Sequence, residues 1–186
     1  MNNRVHGSKK IRRRSNIEEK NNYREYYPEL KEDFQGICGY CGKYYKISRA
    51  MFEPDHFVPK KYSKTRINDY NNLVFSCFTC NRKKGGKWPT EDPLVCHNED
   101  CGFIDPTSEE FDEHLSRDEN GNIVPKTNLG VYMANVFQFQ SRPIKEIHQA
   151  MVLYEKINNI DENASIPKSL YMELEELCDL FFDKHE

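Results

Sequence analysis

The chain of 186 residues contains no run of about 18 apolar residues, which excludes a transmembrane helix. Its opening stretch, MNNRVHGSKKIRRRSNIEEK, has basic residues but lacks the apolar segment of a secretory leader, so the expected setting is the cytoplasm, with no membrane partner. Internal repeats are absent, which sets aside solenoids and propellers. The cysteine count is seven, at positions 38, 41, 77, 80, 96, 101 and 178, an odd number that does not suit a secreted disulfide framework. Tryptophan occurs once, but 11 Phe and 11 Tyr supply enough aromatic mass to argue against disorder. What remains is a polar protein the size of one domain, or of a small domain with a helical appendage.

Positive charge is scarce in one half of the chain. Residues 91–186 carry 7 Lys and Arg against 21 Asp and Glu, a balance of −14, whereas residues 1–90 carry 20 against 9, a balance of +11. The basic half predicts a polyanionic partner such as nucleic acid. The acidic half would repel that partner and is expected to face solvent or another protein.

Residues 1–16 read as a mobile basic arm, and residues 17–34 as short helical pieces interrupted by Pro28. GICGYCG, around Cys38 and Cys41, places glycines where a tight turn presents backbone N–H groups to sulfur. KISRAMFEPDHF predicts a strand leading to Asp55 and His56, VPKKYSKTRINDY a polar loop, and NNLVFSC a second short strand. TCNRKKGGKW predicts a short helix stopped at Gly85-Gly86, with Trp88 packed beneath that turn, the commoner use of a lone Trp, or stacked on a base. Past Pro89 the chain reads as loop, then as a hairpin in which Asn120-Gly121 supplies positive φ angles. Two amphipathic helices close it. One, over about 143–158, shows Ile144, Ile147, Met151, Tyr154 and Ile157 on one face; the other, over about 167–184, shows Leu170, Leu174, Leu177 and Phe181.

Cys38-x-x-Cys41 and Cys77-x-x-Cys80 form two knuckles whose spacing suits one structural Zn²⁺, a metal that prefers a tetrahedron of soft ligands and stabilises a small core. CHNEDC, holding Cys96, His97 and Cys101, could make a second half-site but reads more simply as a free thiol pair in a surface loop. Cys178 lies in an amphipathic helix and reads as core.

Between the knuckles stand DHFVP, NNL and CFTCNRKK. Together they resemble the HNH endonucleases and their ββα-metal core, over about residues 34–90. The resemblance implies a phosphodiester hydrolase, and the residue types fit one. His56 is the candidate general base, since a neutral imidazole accepts a proton near pH 7. Asp55, its neighbour on an extended strand, points to the opposite face and offers hard oxygen to Mg²⁺ or Mn²⁺. In the family the second metal ligand stands at the start of the helix, which here is Asn81. The middle Asn, which orients the base, matches Asn72, because it directly precedes Leu73 as in the family's NL pair. Lys60, Lys61, Arg82, Lys83, Lys84 and Lys87 are candidate phosphate contacts, and Lys9, Lys10, Arg12, Arg13 and Arg14 could extend the track or form a solvated tail.

DHFVPK, NLVFSCFTCNRKKGGKWP, FIDP, DEH, NGNIVP and RPIKEI, in that order, are similar to the subgroup of nuclease subunits in Septu-type and retron-linked anti-phage systems. That similarity implies an ATPase partner, docked by the acidic half. The expected architecture is α+β: a basic arm and short helices over 1–33, a zinc-stapled nuclease core over 34–90, and a loop, hairpin and helical extension over 91–186. DNA is the expected substrate. An effector cutting tRNA would share every motif, and a non-catalytic zinc module would bind nucleic acid without cutting it.

Overall fold

The computed structural model describes residues 3–48, 51–160 and 166–185, with side chains to residue 180. Strand β1 (Phe52–His56) pairs antiparallel with β2 (Leu73–Cys77), Phe52 facing Cys77 and His56 facing Leu73. β2 is buried along its whole length, because α1 (Tyr27–Asp33) and α2 (Phe78–Lys84) both lie against it. The chain passes from β2 directly into α2, which ends at Gly85 with φ 51°, a left-handed value that glycine adopts without strain. This is the strand–loop–strand–helix unit expected from the motifs, and the fold is α+β.

The elements around this unit differ from expectation in instructive ways. Pro28 does not interrupt a helix; it stands in the first turn of α1, where its missing N–H leaves no bond unmade. β1 is shorter than the expected strand, since Tyr45–Ile47 form a 3-10 turn; Arg49 and Ala50 of that stretch lie outside the described residues. After the short helix α3 (Phe111–His114), strands β3 (Leu115–Arg117) and β4 (Ile123–Pro125) make the expected hairpin. Only Gly121 of the Asn-Gly pair has positive φ, at 91°. The Asp118 carboxylate accepts from the N–H groups of Asn120 and Asn122 and so rounds a longer turn than a two-residue one.

Helix α4 (Asn128–Phe137) was not foreseen. Thr127 caps it by accepting the Gly130 N–H, and Gly130 lets it approach α3: a Cβ there would lie 2.1 Å from the His114 carbonyl oxygen. Helices α5 (Ile144–Asn158) and α6 (Lys168–His185) fall where predicted. Ile144, Ile147, Met151 and Ile157 are buried on α5, Tyr154 is half-buried, and Leu170, Leu174 and Leu177 of α6 are half-buried; the Phe181 side chain lies outside the described residues.

From residue 3 on, the arm packs on the fold. Val5 and Ile11 belong to the core, Arg4 pairs with Asp112, and Arg14 pairs with Asp33. Arg13 donates from Nε to the Leu73 carbonyl at 2.8 Å and from Nη1 to Asp105 at 2.8 Å, so these arm cations are spent within the fold. A string of ring contacts runs from Phe57 through Trp88, Phe103 and Phe137 to Tyr40 and joins the unit at β1 to α4. Among the described residues no helix is long and apolar enough to cross a membrane.

Candidate active site and metal centre

The glycine-bearing turn after α1 carries Cys38 and Cys41, Cys77 ends β2, and Cys80 lies in the first turn of α2. All four are buried, and their Sγ atoms lie within 4.8 Å of one another. A tetrahedron with metal–sulfur bonds of about 2.3 Å has edges of roughly 3.8 Å. The Cys41 and Cys77 sulfurs are 3.8 Å apart, so that edge already matches, and four buried thiols this close suit Zn²⁺. Cys96, His97 and Cys101 form no such group: they lie in a partly exposed loop, where the His97 ring meets Glu110 at 3.2 Å.

Two buried arginines flank the sulfurs, and neither was singled out from the sequence. Arg142 donates from Nη1 to Cys80 Sγ at 3.3 Å and to the Phe137 carbonyl at 3.1 Å, and Nη2 lies 3.9 Å from Cys41 Sγ. Arg117 donates to the Cys41 carbonyl at 2.9 Å and to the carbonyls of Val5 and Gly121. Burial brings its guanidinium down to about 10, and the nearby Cys41 and Asp118 resist that fall.

Alternation along β1 sends Glu53 and Asp55 to the face covered by α2, and His56 to the other. On α2, Asn81 and Lys84 stand three residues apart on one helix face and meet the two carboxylates in order. Asn81 Nδ2 donates to Glu53 Oε2 at 2.6 Å, which leaves the amide oxygen turned away from the carboxylate. Lys84 Nζ lies 3.1 Å from Asp55 Oδ2 and donates to the His56 carbonyl at 2.7 Å. Tyr40 completes the group by donating its hydroxyl to Asp55 at 2.6 Å. Both contacts fall on Oδ2 of the nearly buried Asp55, and Oδ1 makes neither of them, whereas Glu53 and Asn81 line an open cavity. Glu53 was missed from the sequence.

His56 Nε2 lies 2.7 Å from the Ile67 carbonyl oxygen, an acceptor only, so in the neutral ring Nε2 carries the proton and Nδ1 keeps its lone pair. Burial lowers the His56 pKa, and the positive charges of Lys60 and Lys84 act in the same direction. The ring is thus biased toward its neutral form. Tyr23 meets it edge-on, with centroids 4.6 Å apart. Asn72, fully buried, ties down the loop beyond the base: its side chain accepts from Val58 N–H at 2.9 Å and donates to the Val58 carbonyl at 3.0 Å. Asn71 is exposed, and Asp69 accepts its N–H, so of the two neighbours it is Asn72 that is buried against the loop.

The cation cluster divides. Lys60, Lys61, Arg82 and Lys87 are exposed, with Lys60 over the Tyr23 ring and Arg82 over Phe78. Lys83 bonds Gln138 of the C-terminal half. Lys84 has no solvent exposure and cannot reach a phosphate; it serves the site from inside.

Residues 38–87 match the family model of the HNH endonucleases. Relatives of the chain include the Septu protein PtuA of Bacillus mycoides (strain KBAB4), 23% identical over 76% of this chain and 22% of that protein. Septu protein PtuB of the same strain is 27% identical over 63% of this chain and 47% of that protein. The proposed HNH endonuclease of retron Vc95, from Vibrio cholerae serotype O1 biovar El Tor, is 31% identical over 48% of this chain and 42% of that protein. The chain thus spans between about a fifth and a half of the length of these relatives. No solved structure matches it. The sequence match and the β1–β2–α2 unit with its four cysteines agree: residues 38–87 are an HNH endonuclease domain.

Proposed function

We propose that the chain is a metal-dependent endonuclease that hydrolyses phosphodiester bonds of DNA, acting in the bacterial cytoplasm as the effector of an anti-phage system with an ATPase partner. The observation that carries the nuclease reading is His56. Its Nε2–H is engaged by the Ile67 carbonyl, which leaves Nδ1 the lone pair that accepts a proton, and it lies within the HNH match on the strand whose other face carries the Glu53–Asn81 pair.

In this reading Nδ1 takes a proton from water, and the resulting hydroxide attacks phosphorus. Glu53 and Asn81, both accessible, are residues that hold Mg²⁺ or Mn²⁺, a hard-oxygen pair suited to either ion. An ion held there would supply charge neutralisation at the phosphate and at the departing 3′ oxygen. Asp55, assigned to the metal by the resemblance, uses Oδ2 to fix Lys84, which holds the His56 backbone in place, and keeps Oδ1 for the ion. Asn72 anchors the far side of the same loop. Lys60, Lys61, Arg82 and Lys87 bind the flanking phosphates, which makes affinity fall with salt. Docking of the partner falls to the acidic half, where Val152 on α5 and Tyr171, Met172 and Leu180 on α6 expose apolar surface.

The test offers plasmid, single-stranded DNA and tRNA to the zinc-loaded protein in Mg²⁺, alone and with the partner copurified from its native host. DNA should be cut to 5′-phosphate and 3′-hydroxyl ends, and His56→Ala should lower cutting by at least ~10²-fold with zinc content unchanged. Cutting of tRNA alone, or 2′,3′-cyclic phosphate ends, would reject this reading.

A further inference from the structure

Beside β1, between the 3-10 turn Tyr23–Tyr26 and the start of α1, a cavity of about 370 Å³ opens to solvent. That volume lies within the roughly 300–1,000 Å³ of small-ligand sites. Tyr23, Tyr27 and Phe52 give it aromatic walls, Arg24 a cation, and Glu53 and Asn81 a polar edge. We propose that this cavity seats an unstacked nucleobase of the substrate strand next to the cleaved phosphate, so that the enzyme selects nucleic acid with an unpaired nucleotide there. The proposal rests on the nuclease reading of His56 and deepens it.

Three observations support this occupant. Among the aromatic walls the half-buried Tyr27 ring is the one left to stack on a base, and such stacking accepts any base. Positive charge gathers around the same ring: the Lys60 ammonium lies 4.1 Å and the Arg24 guanidinium 5.2 Å from the Tyr23 centroid, placed for the phosphates on either side of a seated base. The Tyr23 ring also touches His56 at 4.6 Å, and Glu53 and Asn81 belong both to the cavity and to the candidate ion site. A base held here brings its own backbone to the general base. A paired base could not enter without leaving its stack, at a cost of a few kcal/mol, and this cost is what selects unpaired strands.

The test uses the full zinc-loaded chain carrying His56→Ala, so that binding is read without cutting. Oligonucleotides of DNA and RNA, single-stranded, fully paired, and paired with one bulged 2-aminopurine, are titrated by anisotropy and by 2-aminopurine fluorescence. Single strands and the bulged duplex should bind tighter than the full duplex, with 2-aminopurine quenched on binding; the stronger of the DNA and RNA arms names the sugar. Tyr27→Ala should weaken single-strand binding about tenfold and relieve the quenching while leaving duplex affinity unchanged, a loss that one stacked base accounts for. Tyr27 also touches Phe75, so Tyr27→Leu, which keeps apolar bulk without a π face, guards against misfolding, and Tyr27→Phe should restore wild-type binding. Equal losses on single strand and duplex, or unquenched 2-aminopurine, would overturn the proposal even if wild type cuts DNA. Quenching in a protein that never cuts would instead leave the cavity reading standing and remove the nuclease one.

Discussion

Lys84→Met puts the division of the cation cluster to a direct test. The Lys84 side chain is fully buried and that of Asp55 is 6% exposed, and their N–O separation is 3.1 Å. Removing the ammonium leaves the carboxylate with Tyr40 as its remaining described partner, and leaves the His56 carbonyl without the Lys84 donor. Breaking a buried pair by deleting one member costs about 3–5 kcal/mol, a large part of the total stability of a domain this size. Urea unfolding at fixed excess zinc should show that loss as a lower midpoint with an unchanged slope. Adding Asp55→Leu should return at least half of it, because the uncompensated charge is then gone and only Tyr40 is left wanting an acceptor. A surface lysine on phosphate would behave otherwise: Lys84→Met would then be stable to within ~0.5 kcal/mol. It would lose nucleic-acid affinity and reduce the salt slope by about one. That outcome would refute the internal role. Arg82→Ala, by contrast, should give this second pattern.

Other consequences are equally direct. Arg142→Met removes the donor to Cys80 and should speed transfer of zinc to a chromogenic chelator by about 10–100-fold; a rate equal to wild type would deny the guanidinium its part. His56 is held neutral by burial, so its base form persists below the ordinary value of 6.5, and the acid limb of kcat/KM should fall below pH 6.5. A limb at or above that value would contradict the assignment. Gly130→Ala brings a methyl against the His114 carbonyl and should cost about 1–3 kcal/mol, read as a lower Tm with cleavage chemistry intact.

What could be read from the chain alone follows the range of the interaction. C-x-x-C spacing, the Asp-His pair and Gly85 are local signals, and the zinc ligands, β1, β2 and α2 came through with their order right. α5 and α6 were legible because apolar residues recur at three and four. α4 was not, since a glycine in its first turn reads as a break until His114 is known to press against it. Lys84 sits in a basic run that looks solvated. Yet Asn81 and Lys84 are three apart on a helix while Glu53 and Asp55 are two apart on a strand, and that double register could have paired them. Arg142 carried no such signal, because Cys80 lies 62 positions away in the chain. The arm misled for a related reason: Val5 and Ile11 are too sparse to show a period, and the carboxylates that hold Arg4 and Arg13 come from residues beyond 100.

A zinc ion on the four cysteines would also tie the acidic half to the core. Four thiolates on Zn²⁺ leave a net double negative charge in a buried site, and such charge persists only where cations or N–H donors face it. Both arginines that approach the centre, Arg117 and Arg142, come from beyond residue 90. The half of the chain poorest in positive charge thus delivers two of its few cations to the metal site of the other half. Phe137, whose carbonyl anchors Arg142, stacks on Tyr40, and Tyr40 donates to Asp55. A continuous path of contacts therefore runs from the α4–α5 connection through Tyr40 and Lys84 to the backbone of His56. A partner bound to the C-terminal helices has, in that path, a physical means of altering the position of the base, and this gives the effector reading a mechanism within the chain itself.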